Sequence, residues 1–187
     1  MPLFTIFTSL IKCFYKMISK EKLPYYQIPE PSTEFTAGTS VSRMVDGLGF
    51  RYYWATENLS ETDLAFKPNA EARTTEETID HIYHLSIRVL NATLIKLNGA
   101  TEPSMTFAEK RKKTLENFLE ASLILRESKD VSQFKILFPN KELSFWCVIN
   151  GPIADAMWHV GQIVSFRRCS GNPFPEGVNV LLGKKKD

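Results

Sequence analysis

Residues 74–97 read TTEETIDHIYHLSIRVLNATLIKL, and the fold of the chain turns on this stretch. Ile79, Ile82, Tyr83, Ser86, Val89, Leu90, Thr93 and Leu97 recur at three- and four-residue intervals, the spacing of one face of an α-helix. Thr74 and Glu77 have the spacing of a capping box. In such a box each side chain accepts the other residue's backbone N–H, so two of the donors orphaned at a helix start are satisfied. The pattern predicts a long helix that opens at this box and ends near Asn98 and Gly99.

Working outward, Thr106 and Glu109 repeat the box, and Phe107, Leu115, Phe118, Leu119, Ser122 and Leu125 carry a helix to about Ser128. The charge run from Glu109 through Lys110, Arg111, Lys112 and Lys113 reads as its solvated face. Upstream, Thr39 or Ser40 offers a cap, and Val41, Met44, Val45, Leu48, Tyr52 and Ala55 give a helix reaching Asn58, weakened by Gly47 and Gly49. Downstream, Asn150, Gly151 and Pro152 open a further helix that runs to about Cys169 and stops at residues 170–173. Between residues 129 and 149, Pro139-Asn140 marks a turn flanked by apolar runs, which fits a hairpin or an irregular crossover.

Four helices with long connections predict an all-α chain folded as an up-down four-helix bundle over residues 39–172. Residues 1–38 are an N-terminal extension followed by an irregular arm, whose three prolines from residue 24 onward hold it over the surface. Residues 173–187 form a tail that packs loosely or frays.

Composition bounds the function. Of 187 residues 43% are apolar and 24% charged, with nine glycines and ten prolines, which excludes collagen-like and low-complexity chains. A net charge of +2, from 23 basic and 21 acidic residues, is too small to predict a nucleic-acid partner. Cys13, Cys147 and Cys169 are odd in number and far apart, so no disulfide framework is expected and a reducing, cytoplasmic setting fits. No apolar run approaches the about 18 residues that span a bilayer, and no membrane partner is expected. Residues 3–15, LFTIFTSLIKCFY, lack both a basic flank and a small-residue cleavage site, which argues against a signal peptide. Met17 is a simpler start, with residues 1–16 an extension outside the fold.

All three histidines fall on two predicted helices: His81 and His84 on the second, His159 on the fourth. Asp155 and His159 are at i and i+4, so a carboxylate and an imidazole share one face, continued by Gln162 and Phe166. That stripe borders the apolar sector of Ile153, Ala156, Met157, Val160, Ile163 and Val164, and faces a crevice where bundles build metal sites. His81 lies nearer the apolar arc of its helix than His84, which sits among Asp80, Arg88 and Asn91. Two imidazoles and a carboxylate suit a borderline divalent ion such as Zn²⁺ or Ni²⁺, and three protein ligands leave a position open. The plainer alternative is a first-turn acid beside a hydrogen-bonded histidine. Trp146 and Trp158 read as core or crevice walls.

Residues 78–86, TIDHIYHLS, and 151–168, GPIADAMWHVGQIVSFRR, resemble the DinB-like superfamily of DinB/YfiT-like metalloenzymes over about residues 39–172. The His-x-Gly-Gln-Ile step at His159, with arginine a few residues on, is the most specific part. The resemblance implies a four-helix bundle holding a divalent metal by one histidine of the second helix and a His-x-x-x-His pair of the fourth, hence His81 and His159. Asp155 stands where the first histidine of that pair belongs, so His81, Asp155 and His159 form the implied set, with His84 an alternative ligand. It further implies a small-molecule substrate, a low-molecular-weight thiol made nucleophilic by the metal, and transferase chemistry. Gln162 and Arg167 would then support the ligands or bind a substrate anion. A homodimer is expected, since bundles of this kind pair through helix faces. A non-catalytic bundle that has lost its metal through Asp155 is the alternative.

Overall fold

The computed structural model describes residues 23–99 and 103–186, so the N-terminal extension, the start at Met17 and Cys13 lie outside the described residues. The chain is mostly helical. Helices α1 (Ala37–Thr56), α2 (Glu61–Ala65), α3 (Thr75–Leu94) and α4 (Phe107–Arg126) all open with a reciprocal capping box, at Thr36, Ser60, Thr74 and Thr106. The boxes expected for α3 and α4 are therefore present. Helix α1 begins earlier than expected because Thr39 is not its cap: its hydroxyl accepts the Thr36 N–H at 2.8 Å as the third residue of the box. Helix α2 was not expected, although Ser60 and Asp63 carry the same spacing.

Helix α3 also stops short of Asn98. Ile95 adopts φ 54° and ψ 45°, a left-handed conformation costly for a β-branched residue. Tertiary contacts compensate, because the turn lets buried Asn98 donate its backbone N–H and side-chain amide to the Leu137 carbonyl, at 2.8 and 3.1 Å. Leu137 belongs to β1 (Ile136–Phe138), which pairs antiparallel with β2 (Lys141–Leu143) across Pro139-Asn140, so the crossover is a hairpin.

The last long helix differs most from expectation. The chain is already helical in α5 (Phe145–Val148) and passes through a π-turn (Ile149–Ile153), with Gly151 at φ −86° and ψ −105°, into α6 (Ala154–Cys169). Gly151-Pro152 is a kink inside a helical run rather than a helix start, because Pro152 supplies no N–H to the ladder.

Helix α1 packs on α4 and α6, and α3 packs on the same two. Their shared core includes Leu48, Phe50, Ile79, Ile82, Leu115, Phe118, Val160 and Ile163, all buried. The arm does not stay on the surface: Tyr25 is buried and its ring lies over Gly49, where an added Cβ would come within 2.4 Å. The Tyr25 hydroxyl donates to Asp46 Oδ1 at 3.1 Å; Asp46, fully buried, also accepts from Ser122 Oγ and from Arg126 Nη2 at 2.9 Å. The expected loose tail instead forms a second hairpin, β3 (Val178–Asn179) with β4 (Lys184–Lys185). The α4 charge run is solvated at Lys112 and Lys113, whereas Lys110 pairs with Asp80 at 2.7 Å and Arg111 with Glu57. Among the described residues no helix is long and apolar enough to cross a membrane.

Candidate metal centre

The core stripe of α6 is Ala156, Val160, Ile163 and Arg167. Counting about 100° per residue, Asp155, His159 and Gln162 lie between about 70° and 130° round from that stripe, all on one side. On α3 the same count from buried Ile82 puts His81 about 100° round and His84 about 160° round. The first position borders the α3–α6 crevice and the second points outward.

The side chains follow this arithmetic. His81 Nε2 lies 3.2 Å from Asp155 Oδ2, and His159 Nε2 lies 3.3 Å from Asp155 Oδ1. The imidazole rings meet edge to face at a centroid distance of 4.7 Å. One donor atom from each of the three residues can be chosen so that all lie within 4.8 Å of one another, and this group could hold a metal ion. With ligand bonds of about 2.0–2.1 Å, two ligand atoms on a tetrahedral ion stand about 3.3 Å apart, the separation seen between each imidazole and the carboxylate. The centre is half-buried, with Asp155 the most open of the three.

Gln162 fixes the second imidazole. Its Oε1 lies 2.7 Å from His159 Nδ1, so that nitrogen carries the proton and donates. The Nε2 lone pair of a neutral His159 then faces a carboxylate oxygen at 3.3 Å. A metal ion placed between the two would turn that approach into an attraction. At His81, burial pulls the pKa below its ordinary 6.5; the hydrogen bond to Asp155 opposes this, while the charges of His159 and Arg73 add to it. The neutral imidazole, the form that binds metals, is favoured there. Arg73, just ahead of the α3 cap, was not singled out from the sequence.

Two expected roles are not what the side chains do. His84 is exposed, its ring against Tyr83 at 5.4 Å, and it lies outside the group. Arg167 is 2% exposed and faces no substrate space. Its guanidinium donates to the Trp54 and Ala55 carbonyls at 2.9 and 3.1 Å, in the last turn of α1, and to the carbonyl and side chain of Asn172. Carbonyls at a helix C-terminus lack intrahelical partners and attract a cation, so Arg167 ties α6 to the end of α1. Its position four residues after Ile163, on the core stripe, was the signal in the sequence for burial. Trp146 and Trp158, expected as walls, are 78% and 72% exposed.

Asp63 completes the Arg167 junction by accepting from Ser170 Oγ, from Asn172 Nδ2 at 2.8 Å and from Ser60 N–H at 2.8 Å. Desolvation pushes its carboxyl up, but the hydrogen bonds from Ser170, Asn172 and Ser60 outweigh it and hold the pKa well below the ordinary 3.8. A carboxyl depressed on folding stabilises fully above its unfolded value and loses that contribution as pH falls toward its folded one. Urea unfolding is therefore expected to show wild-type stability dropping below about pH 4, while Asp63→Asn is less stable at neutral pH and shows a shallower acid loss.

In comparisons with known proteins, no family model, no curated protein and no solved structure matches the chain.

Proposed function

We propose that the chain is an up-down four-helix bundle of the DinB-like kind that binds Zn²⁺ or Ni²⁺ through His81, Asp155 and His159, and that it acts on a small molecule as a thiol-dependent transferase. The convergence of three donor atoms from α3 and α6 within 4.8 Å carries this reading. Gln162 supports it by turning the Nε2 lone pair of His159 toward the same point. Bound there, the ion would act as a Lewis acid that lowers the pKa of a thiol and makes the thiolate the nucleophile. The residues of the chain orient that chemistry: His81 and His159 hold fixed ring positions, and the half-exposed carboxylate of Asp155 leaves one side open for a cosubstrate.

Zinc or nickel added to metal-free protein is expected to bind one ion per chain and raise the melting temperature, with free ligand at a hundred times Kd contributing about 2.7 kcal/mol. A small thiol added to the nickel form is expected to give thiolate-to-metal charge-transfer absorption in the ultraviolet. No binding of either ion would overturn the reading.

One observation favours a second reading. Asp155 already contacts both imidazoles, so the cluster can satisfy itself as ion pairs in a non-catalytic bundle. On that reading the purified protein holds no metal and added ions leave its melting temperature unchanged.

A further inference from the structure

The β3–β4 hairpin carries an apolar tip that the fold builds with care and leaves uncovered. Asn179 pins the turn: its side-chain oxygen accepts from the N–H groups of Leu181 and Leu182 at 3.1 and 3.0 Å, and its carbonyl accepts from Gly183 at 2.8 Å. Behind the turn the Ile28 N–H donates to the Gly183 carbonyl at 2.9 Å. Gly183 has φ +67°, and the Ile28 side chain occupies the place its Cβ would take, 2.4 Å away, so glycine is required. The tip is thus held from several sides, yet Leu181 is 89% exposed and Leu182 59%. Two neighbouring leucines held in water add nothing to folding.

The apolar surface continues past Leu182. A crevice lined by Ile28, Pro31, Arg43, Leu182 and Lys184 runs through Pro31 and Arg43 into a second one bordered by Phe35, which is 98% exposed. Arg43 and Lys184 line this surface and Arg51 reaches the Val180 carbonyl, against two acids, Glu34 and Glu30, the latter paired with Lys184 at 4.0 Å. An apolar tip flanked by Arg43, Arg51 and Lys184 suits an anionic bilayer, whose acyl boundary takes the leucines while its headgroups meet the guanidinium and ammonium groups. A neutral protein groove would cover the leucines but would leave the two arginines beside them without a partner charge.

We propose that the hairpin tip at residues 180–182, with Phe35 and the cations beside it, docks the protein peripherally on an anionic lipid surface. The expectation of no membrane partner came from the lack of a spanning segment, which has no bearing on a surface contact.

The test is co-sedimentation of the full chain with phosphatidylcholine vesicles made with and without phosphatidylglycerol. The protein is expected to bind the anionic vesicles, more weakly as salt rises, and to bind neutral ones poorly. Leu181→Asp with Leu182→Asp is expected to lower partitioning about tenfold or more at an unchanged melting temperature. If the double substitution disturbs the hairpin, Leu181→Ser alone is expected to give a smaller loss in the same direction. Absence of wild-type binding, or equal binding by wild type and these variants, overturns the proposal; the second result would assign binding to another part of the chain. Loss of a wild-type dimer in the double variant, read by sedimentation velocity without vesicles, also overturns it, by making the tip a protein interface.

Discussion

Arg126→Met lowers the free energy of unfolding by about 3 kcal/mol, the low end of what breaking a buried ion pair costs. The reason lies with its partner. Asp46 is fully buried on α1, with Tyr25 OH, Ser122 Oγ and Arg126 Nη2 arranged around its two oxygens. Of these only Arg126 carries charge, and its removal leaves an anion inside the core with hydroxyl donors alone. Arg126 keeps 24% of its side chain in water, so solvent partly screens the loss and the upper end of the range is not reached. Asp46→Asn combined with Arg126→Met recovers most of that loss, because the amide needs no counter-charge and can still bond both hydroxyls. Urea unfolding of the two single variants and the double one completes the cycle. A loss below about 1 kcal/mol for Arg126→Met would show that water, not Arg126, neutralises Asp46.

The second large effect is on metal affinity. His81→Ala and His159→Ala are each expected to weaken zinc binding by more than about 100-fold, since each removes one of three ligands. Gln162→Ala, which frees the His159 ring, is expected to cost about 10–100-fold, the usual price of losing a hydrogen bond to a ligand's far nitrogen. His84→Ala changes nothing, because that ring is exposed and outside the group. Asp155→His makes the i and i+4 histidine pair that the resemblance leads one to expect, and is predicted to keep or raise zinc affinity. Titration calorimetry reads this order. Equal affinities for wild type and His159→Ala would place any bound zinc elsewhere.

The starts of α3 and α4 were legible in the sequence because a capping box is local: Thr74 with Glu77 and Thr106 with Glu109 each settle their own orphaned donors. Helix ends were less legible. Ile95 terminates α3 against its own propensity, and the contact responsible, between Asn98 and the Leu137 carbonyl, joins segments 39 residues apart. The arm misled for a similar reason, since nothing near Tyr25 in sequence announces that Gly49 has left room for its ring.

At the candidate centre, helical period was enough to bring Asp155 and His159 to one face and to rank His81 above His84. It could not tell that Arg167 spends its donors on the end of α1, because those carbonyls belong to residues more than a hundred positions away. Nor could it find the hairpin tip, where Leu181 and Leu182 read as ordinary tail residues until Asn179, Ile28 and Arg51 are seen to hold the turn in place.

X-ray diffraction at the zinc absorption edge, from crystals grown with zinc, tests the central reading most directly. The account predicts one anomalous peak between α3 and α6, about 2.0–2.2 Å from Nε2 of His81, Nε2 of His159 and an oxygen of Asp155. An empty crevice at saturating zinc, with Asp155 still bonded to both imidazoles, would contradict it.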